Sequence, residues 1–366
     1  IIRKFQLGFA LPKRTALAEA AKAAGYNPKY LVDTGLCFKV DKDEAGNKSG
    51  EDKVLDRFSG RAIFPWFSVS GKVVAFGGRV LDSRTKGISQ KYVNSPDSVI
   101  YHKERELYGL YQAKKAIAKE DCVFMVEGYT DVISMHQCGI ENVVANSGTA
   151  LSVHQIRLLH RFTSNIVLLY DGDNAGIHAA LRGTDMLLEE EMNVKVLFLP
   201  DGNDPDSFAR SHSAEDFRRY IQENQTDFIQ FKTDILLRGV TDPVKRSQAI
   251  NSIVESISKI KNQITRASYI TDCSHRLGVN EAIIVNALNN FEFACQQHLQ
   301  MKLSDICKFI DREYQQDLGQ SLADLKQLMA HRLIKFDITQ KFKELRVKDI
   351  IFYQHQLVEG FLNVAN

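Results

Sequence analysis

The sequence predicts an α/β fold, α+β when taken over its whole length, and three observations carry that reading. Between residues 120 and 212 short apolar, β-rich runs alternate with helical stretches, the pattern of a parallel sheet with right-handed crossovers. The segment before it, 1–119, is mixed in pattern and strongly basic, and the chain after 212 turns helical. Charge follows the same partition: the net value is only +2, yet residues 1–119 carry +10, residues 120–210 carry −9 and the remainder carries +1. A basic block beside an acidic one places a surface for polyanions next to a site for cations.

In the basic block, FPWFSVSGKVVAF (64–76) predicts a hairpin turning at Ser70-Gly71. The Gly-Gly pair of AFGGRVLD (75–82) marks a turn, a bulge or a close backbone approach. In the acidic block the strands are CVFMV (122–126), VVA (143–145), IVLLY (166–170) and VKVLFL (194–199), each short and apolar enough to be buried on both faces. Helices are expected over 130–138, 152–162 and 174–191. Ser152 with Gln155 forms a capping box, and Leu151, Ile156, Leu159 and Phe162 share a face. Further on, Asp242-Pro243 reads as an N-cap followed by proline at the first helical position, and 280–289 supplies another helix. Residues from about 292 onward also carry a helical pattern. Four segments result: 1–119, 120–212, 213–291 and 292–366.

Composition, 44% hydrophobic and 25% charged, is that of a soluble globular protein. No apolar run approaches the ~20 residues that span a bilayer, and the start does not resemble a secretory leader. A cytoplasmic protein that does not engage a membrane is expected, and one beginning at Ile1 reads as a fragment of a longer chain. The six cysteines include no C-x-x-C pair, so neither a zinc site nor a disulfide framework is indicated.

In a parallel sheet every strand ends at one edge, where ligands bind. Glu127-Gly128 follows the first strand, Ser147-Gly148-Thr149 the second, Asp171-Gly172-Asp173 the third and Asp201-Gly202-Asn203-Asp204-Pro205-Asp206 the fourth. Glu127, Asp171, Asp173, Asp204 and Asp206 thus offer hard oxygen ligands from three distant segments, suited to magnesium or manganese rather than zinc. Two such ions serve phosphoryl transfer by holding the attacking and leaving oxygens. An EF-hand reading of DGDNAG fails at Ala175, its fifth position, and at Arg182, its twelfth. A phosphoaspartyl hydrolase leaves Glu127 and the D-P-D without a task. Turn chemistry explains any one acidic cluster but not three on one edge. Asp131 falls in a helix's first turn, where a carboxylate complements the dipole, with metal binding as the alternative role, and His154 and His160 read as structural.

The sequence Glu127-Gly128-Tyr129 with Asp131, then Y-D-G-D-N-A-G, then L-P-D-G-N-D-P-D, resembles the Toprim domain of primases, topoisomerases and some nucleases. The flanking F-Q-L-G-F-A (5–10), D-R-F-S-G-R-A-I-F-P (56–65), G-K-V-V-A-F-G-G-R-V-L (71–81), K-Y-V-N-S-P (91–96) and H-K-E-R-E-L-Y-G-L-Y (102–111) resemble the RNA polymerase core of DnaG-type bacterial primases, over roughly 1–290. The resemblance implies a Toprim-like parallel sheet flanked by helices and the synthesis of short RNA primers from ribonucleoside triphosphates on single-stranded DNA at the bacterial replication fork. It implies metal ligands at Glu127, Asp171, Asp173 and Asp204, with Asp206 an additional one, and Mg2+ as cofactor with Mn2+ able to substitute. Glu127 has a second candidate role as general base. The family's basic ridge falls on Arg57, Arg61, Arg79, Lys91, Tyr92, Asn94 and Lys103, where cations track phosphates and Tyr92 stacks on a base. The replicative helicase is a further implied partner, through a C-terminal helical domain to which 292–366 would contribute. Rival readings are a Toprim nuclease or topoisomerase, and a module that binds single-stranded DNA without initiating.

Overall fold

The computed structural model describes residues 1–40, 54–81, 90–146, 151–170, 181, 184–200, 203–278, 280–282 and 284–285, and short strands at 334–335 and 351–352. The chain divides into two compact units, Ile1–Phe228 and Ile229–Asn366.

The first unit opens with α1 (Ile2–Phe5), β1 (Gly8–Phe9), α2 (Ala16–Ala23), α3 (Pro28–Asp33), β2 (Cys37–Lys39) and β3 (Val54–Asp56), followed by β4 (Arg61–Phe67), β5 (Val73–Val80) and β6 (Tyr92–Asn94). Strands β1, β4, β5 and β6 form an antiparallel sheet in the order β1–β4–β5–β6, and β2 pairs with β3 beside it. The β4–β5 connection is the hairpin expected from the sequence, with Gly71 at φ 86° in its turn. Buried Asp56 caps α2 from a distance, accepting the Leu17 and Ala18 N–H groups at 2.7 and 3.0 Å. It also accepts the Cys37 thiol, which burial foremost, and then the nearby Asp56 charge, push up to about 12.

The second sheet contains β7 (Val123–Val126), β8 (Val143–Ala145), β9 (Asn165–Tyr170), β10 (Asn193–Phe198) and β11 (Thr226–Asp227), in the order β11–β10–β9–β7–β8. The first four run parallel and β11 closes one side antiparallel. Every residue of β7 and β8 is buried, which is why their sequences are apolar without alternation. Helices α4 (Leu110–Glu120), α5 (Tyr129–Gln137), α6 (Val153–His160), α7 (Thr184–Glu189), α8 (Pro205–Ser211) and α9 (Ala214–Asn224) connect these strands. The Ser152 capping box of α6 is present in both directions, at 3.1 and 3.0 Å. Of the helix expected over 174–191, α7 is seen, and residues 171–180 lie outside the described set.

One core spans the two larger sheets of this unit. Phe64 and Trp66 of β4 pack in the same cluster as Val126 of β7, Tyr129 of α5, Val143 of β8 and Leu169 of β9. The backbone joins there as well: Tyr108 exchanges hydrogen bonds with Ala145 at 2.9 and 3.0 Å, extending the parallel sheet by one antiparallel bridge. Gly109 follows at φ 84°, where a Cβ would stand 2.7 Å from Val132 Cγ1.

Helix α10 (Phe228–Leu237) carries the chain into the second unit, followed by α11 (Pro243–Ser258) and α12 (Gln263–Leu277). Asp242 caps α11 through the Val244 and Lys245 N–H groups, with Pro243 at the first helical position as the sequence predicts. Ile253, Ile257, Cys273 and Leu277 form the buried seam. Most of the helix expected over 280–289 lies outside the described residues, as does most of 292–366, where 334–335 pairs antiparallel with 351–352. No helix among the described residues is long and apolar enough to cross a membrane.

A buried histidine and a half-buried glutamate make stability depend on pH, with opposite sign. His136 is 4% exposed, both ring nitrogens lack a partner, and Phe5 packs edge-on at 4.9 Å. Burial, then the Lys4 charge, push its imidazole down from 6.5 to about 4 against the opposing pull of Glu141. The unfolded chain takes up the proton first, so stability present above pH 6.5 is lost as pH falls toward 4, by about 3 kcal/mol. Urea denaturation between pH 7.5 and 4.5 is expected to show this loss, and His136→Leu to flatten it. Burial raises the Glu106 carboxyl from 4.5 to about 7. Here the folded state holds the proton longer, so stability falls as pH rises through that window. Glu106→Gln is expected to remove that fall, worth about 1 kcal/mol once solvent screening is allowed for.

Candidate active site

The parallel register makes the carboxylate edge concrete. Val126 lies opposite Ala145, Met125 opposite Leu168, Leu168 opposite Val196 and Tyr170 opposite Phe198. Glu127 and the segments following Ala145, Tyr170 and Phe198 therefore leave the sheet on one side. Glu127 is exposed directly beyond β7, and Gly128 begins the turn into α5. Asp131 is bound to that turn: its Oδ2 accepts the Gly128 N–H at 2.9 Å, a capping role that matches its first-turn position. Asp171 and Asp173 lie outside the described residues.

Asp204 is exposed and caps α8, accepting the Ser207 N–H on Oδ1 at 2.7 Å while the Ser207 hydroxyl accepts the Asp204 N–H at 3.0 Å. Partial burial opposes its charge, but the Ser207 bonds and the Arg210 charge outweigh it and hold the carboxyl below its usual range. It is thus a ready anion at neutral pH. Asp206, two residues along, has both oxygens engaged: Oδ1 accepts the Ser134 hydroxyl of α5 at 2.5 Å, and Oδ2 pairs with Arg210 at 2.9 Å. The described part of the edge offers oxygen donors from Glu127 and Asp204, the donor chemistry of a hard divalent cation. No group of three or more His, Cys, Asp or Glu side chains with metal-binding geometry occurs among the described residues, a set that excludes Asp171 and Asp173.

The cationic residues divide into two kinds. Arg79 and Tyr92 are cross-strand partners on β5 and β6. The Arg79 guanidinium lies 5.4 Å from the Tyr92 ring centre and Lys91 Nζ lies 5.9 Å from it. Tyr92 is 40% exposed, so this cluster presents two cations and an aromatic face to solvent. Arg57 and Arg61 are tied inward instead. Arg57 Nε donates to the Gly35 carbonyl at 2.8 Å and its guanidinium covers Phe38 at 5.8 Å. Arg61 donates to the Lys91 and Gln90 carbonyls at 3.2 and 3.0 Å, and burial lowers its pKa. It braces the entry to β6 from β4, reaching past the intervening β5. Lys103 is half-buried in the one-turn 3-10 helix Lys103–Arg105, with its backbone fixed by Asp97 at 2.9 Å and by Gln155 at 3.1 Å.

Asn94 is the link between the two halves. Its Oδ1 accepts the Tyr129 hydroxyl, and Tyr129 is the first residue of α5, two beyond Glu127. The Gly-Gly pair is a site of close approach, as the sequence reading allowed: a Cβ at Gly77 would stand 2.6 Å from Tyr129 Cζ, and one at Gly78 2.8 Å from Phe58. Tyr129 escaped the sequence reading as a site residue, because a single tyrosine after Glu-Gly gives no sign of what its hydroxyl will meet.

Comparison with known proteins agrees with this geometry. Residues 1–114 match the DNA primase catalytic core, N-terminal domain, and 124–209 match the Toprim-like family. Residues 229–282 match the DnaB-helicase binding domain of primase, and 267–338 match the TnsA endonuclease C terminal family. The DNA primase of Clostridium acetobutylicum is 39% identical over 292 residues, covering 79% of this chain and 46% of that protein. The chain spans about half the length of the curated relatives it matches. A DNA primase domain from Pseudomonas aeruginosa superposes with a TM-score of 0.68 at 33% identity, covering 79% of this chain and 88% of that one. The DnaG primase catalytic domain bound to ssDNA superposes with a TM-score of 0.65 at 32% identity, covering 77% and 86%. An oxygen-lined sheet edge joined through Tyr129 to a cationic ridge, on a chain that covers 86% to 88% of two such cores at about one-third identity, places this chain in the family of DnaG-type bacterial DNA primases.

Proposed function

We propose that this chain copies single-stranded DNA into short RNA primers, joining ribonucleoside triphosphates by nucleotidyl transfer. The observation that carries the reading is the Arg79–Tyr92–Lys91 cluster, whose strand is tied to the residue two beyond Glu127. Cations and an aromatic face on adjoining strands suit a sugar-phosphate backbone with exposed bases. Oxygen ligands on the adjoining edge suit the ions that accompany triphosphates.

Glu127, Asp171, Asp173 and Asp204 would hold Mg2+, or Mn2+ in its place. Such ions, when bound, neutralise charge developing on the transferring phosphorus and its leaving group. Glu127, exposed at the strand end, either completes that ligand set or accepts the proton of the attacking primer hydroxyl; both tasks need its carboxylate ionised. Asp206 serves by fixing α8 against α5, since both of its oxygens are committed. Arg79 and Lys91 hold phosphates, Tyr92 stacks on a base, and Lys103 adds a further cation. Arg57 and Arg61 support this surface by bracing backbone. The sequence-based domains fit this assignment: a basic segment 1–119, a catalytic segment 120–212 and helical segments after it. The match of 229–282 to a helicase-binding family supports the replicative helicase as partner, and work at the bacterial replication fork follows.

With Mg2+ or Mn2+, a single-stranded template and labelled ribonucleotides, the chain is expected to make short RNA. Glu127→Gln and Asp171→Ala are each expected to lower incorporation at least about 100-fold with unchanged circular dichroism. Incorporation by the double variant at the wild-type rate refutes the reading, and cleavage of DNA without nucleotides supports a Toprim nuclease instead. Arg79→Ala and Lys91→Ala are each expected to weaken single-strand binding and reduce its salt slope by about 0.7, measured by fluorescence anisotropy across a salt series.

A further inference from the structure

We propose that Tyr129 and Asn94 are a positioning pair that fixes the carboxylate edge against the cationic ridge, and that Asn94 acts through Tyr129 rather than by touching nucleic acid. The inference rests on the primer-synthesis reading for its activity readout, and not for its geometry.

Tyr129 stands two residues beyond Glu127 and is 3% exposed. Its ring stacks on Phe64 of β4 at 5.2 Å and meets Tyr108 at 4.9 Å, Trp66 at 6.1 Å and Tyr92 at 6.1 Å. Tyr92 is the residue that carries Arg79 and Lys91. The phenol therefore touches, in one contact, the ring that organises the cations, and by its own backbone it borders the turn that presents Glu127. Its hydroxyl donates to Asn94 Oδ1 on the same strand as Tyr92. A buried hydroxyl is costly without a partner, so this bond selects the one placement of the ring in which the partner is in reach.

Gly77 supplies the independent observation. It faces Asn94 in the β5–β6 register, and a Cβ there would stand 2.6 Å from Tyr129 Cζ and 2.7 Å from Tyr129 Oη. Gly77 is absent from the positive-φ positions, so backbone conformation does not demand glycine there. Space for the phenol does. Acceptor, donor and clearance thus come from three segments and converge on one hydroxyl. Tyr108 is the contrast: equally buried and in the same cluster, its hydroxyl has no hydrogen-bond partner.

Removal of the Tyr129 hydroxyl leaves the ring, the metal ligands and the cations in place and loosens only their mutual spacing. Such a change acts on the chemical step more than on binding. Tyr129→Phe is expected to lower kcat for primer synthesis about tenfold, with the Kd for single-stranded DNA within about twofold and Tm within about 3 °C. Asn94→Ala is expected to show the same split, and the double variant to lose no more than either single one. Tyr108→Phe keeps wild-type kcat. A wild-type kcat in Tyr129→Phe overturns the proposal, as does additivity of the two losses with weakened DNA binding by Asn94→Ala, which would make Asn94 a nucleic-acid contact. If the wild-type chain makes no RNA, the primer reading fails and hydrogen exchange judges the pair alone. Tyr129→Phe is then expected to speed exchange at least about fivefold in both 92–94 and 128–132, and Tyr108→Phe in neither; unchanged exchange refutes the pair.

Discussion

A parallel sheet covered on both faces has to hand every strand to a polar segment on the same side, and this constraint arranges the rest of the first unit. Strands β7 and β8 are buried at every residue, so charge cannot appear along them and collects where they end, while β10 carries its one charged residue, Lys195, at an exposed position. The helices that follow begin at that same side, α5 behind Gly128 and α8 behind Asp204. Their N-termini present backbone N–H groups and positive dipole ends, which offset part of the cost of gathering carboxylates. Asp131 and Asp204 spend oxygens on those N–H groups, so helix capping and the acidic edge share the same residues.

An acidic edge repels a polyanion unless cations stand close by. The antiparallel sheet supplies them, and the aromatic core makes the two sheets one body within this unit. Phe64 and Trp66 reach across from β4, Tyr108 lends the second sheet a backbone bridge, and Tyr129 fills the angle between. Aromatic rings suit such a junction because each covers a large area with few rotatable bonds, so the joint is stiff for its size. Arg61 stiffens it further by holding the carbonyls of residues 90 and 91 just before the exposed Tyr92.

Much of this was legible from the residues alone. Strand runs, the Ser152 capping box, the Asp242 cap and the turn at Gly71 are local, and each is set by side-chain period or by a backbone preference that neighbours cannot easily override. The common exit of the strands follows from topology once the alternation is seen. What could not be read is which polar groups would be spent internally. Arg57, Arg61 and Arg79 look alike in sequence, yet two are turned onto backbone carbonyls and one onto an exposed ring. Asp204 and Asp206 are neighbours in one motif, but Ser134, seventy-two positions away, engages the second. Those allocations depend on distances between elements remote along the chain. Asp171 and Asp173, central to the sequence argument, lie outside the described residues.

Trp66 gives the aromatic junction an optical signature. It is the chain's single tryptophan, 1% exposed, with Tyr101, Tyr108 and Tyr129 between 5.6 and 6.1 Å from it. Ultraviolet light absorbed by those tyrosines is emitted through one indole in a dry environment. The tryptophan fluorescence of this chain therefore comes from the place where the antiparallel and parallel sheets of the first unit meet, and a shift in its colour records water entering that joint.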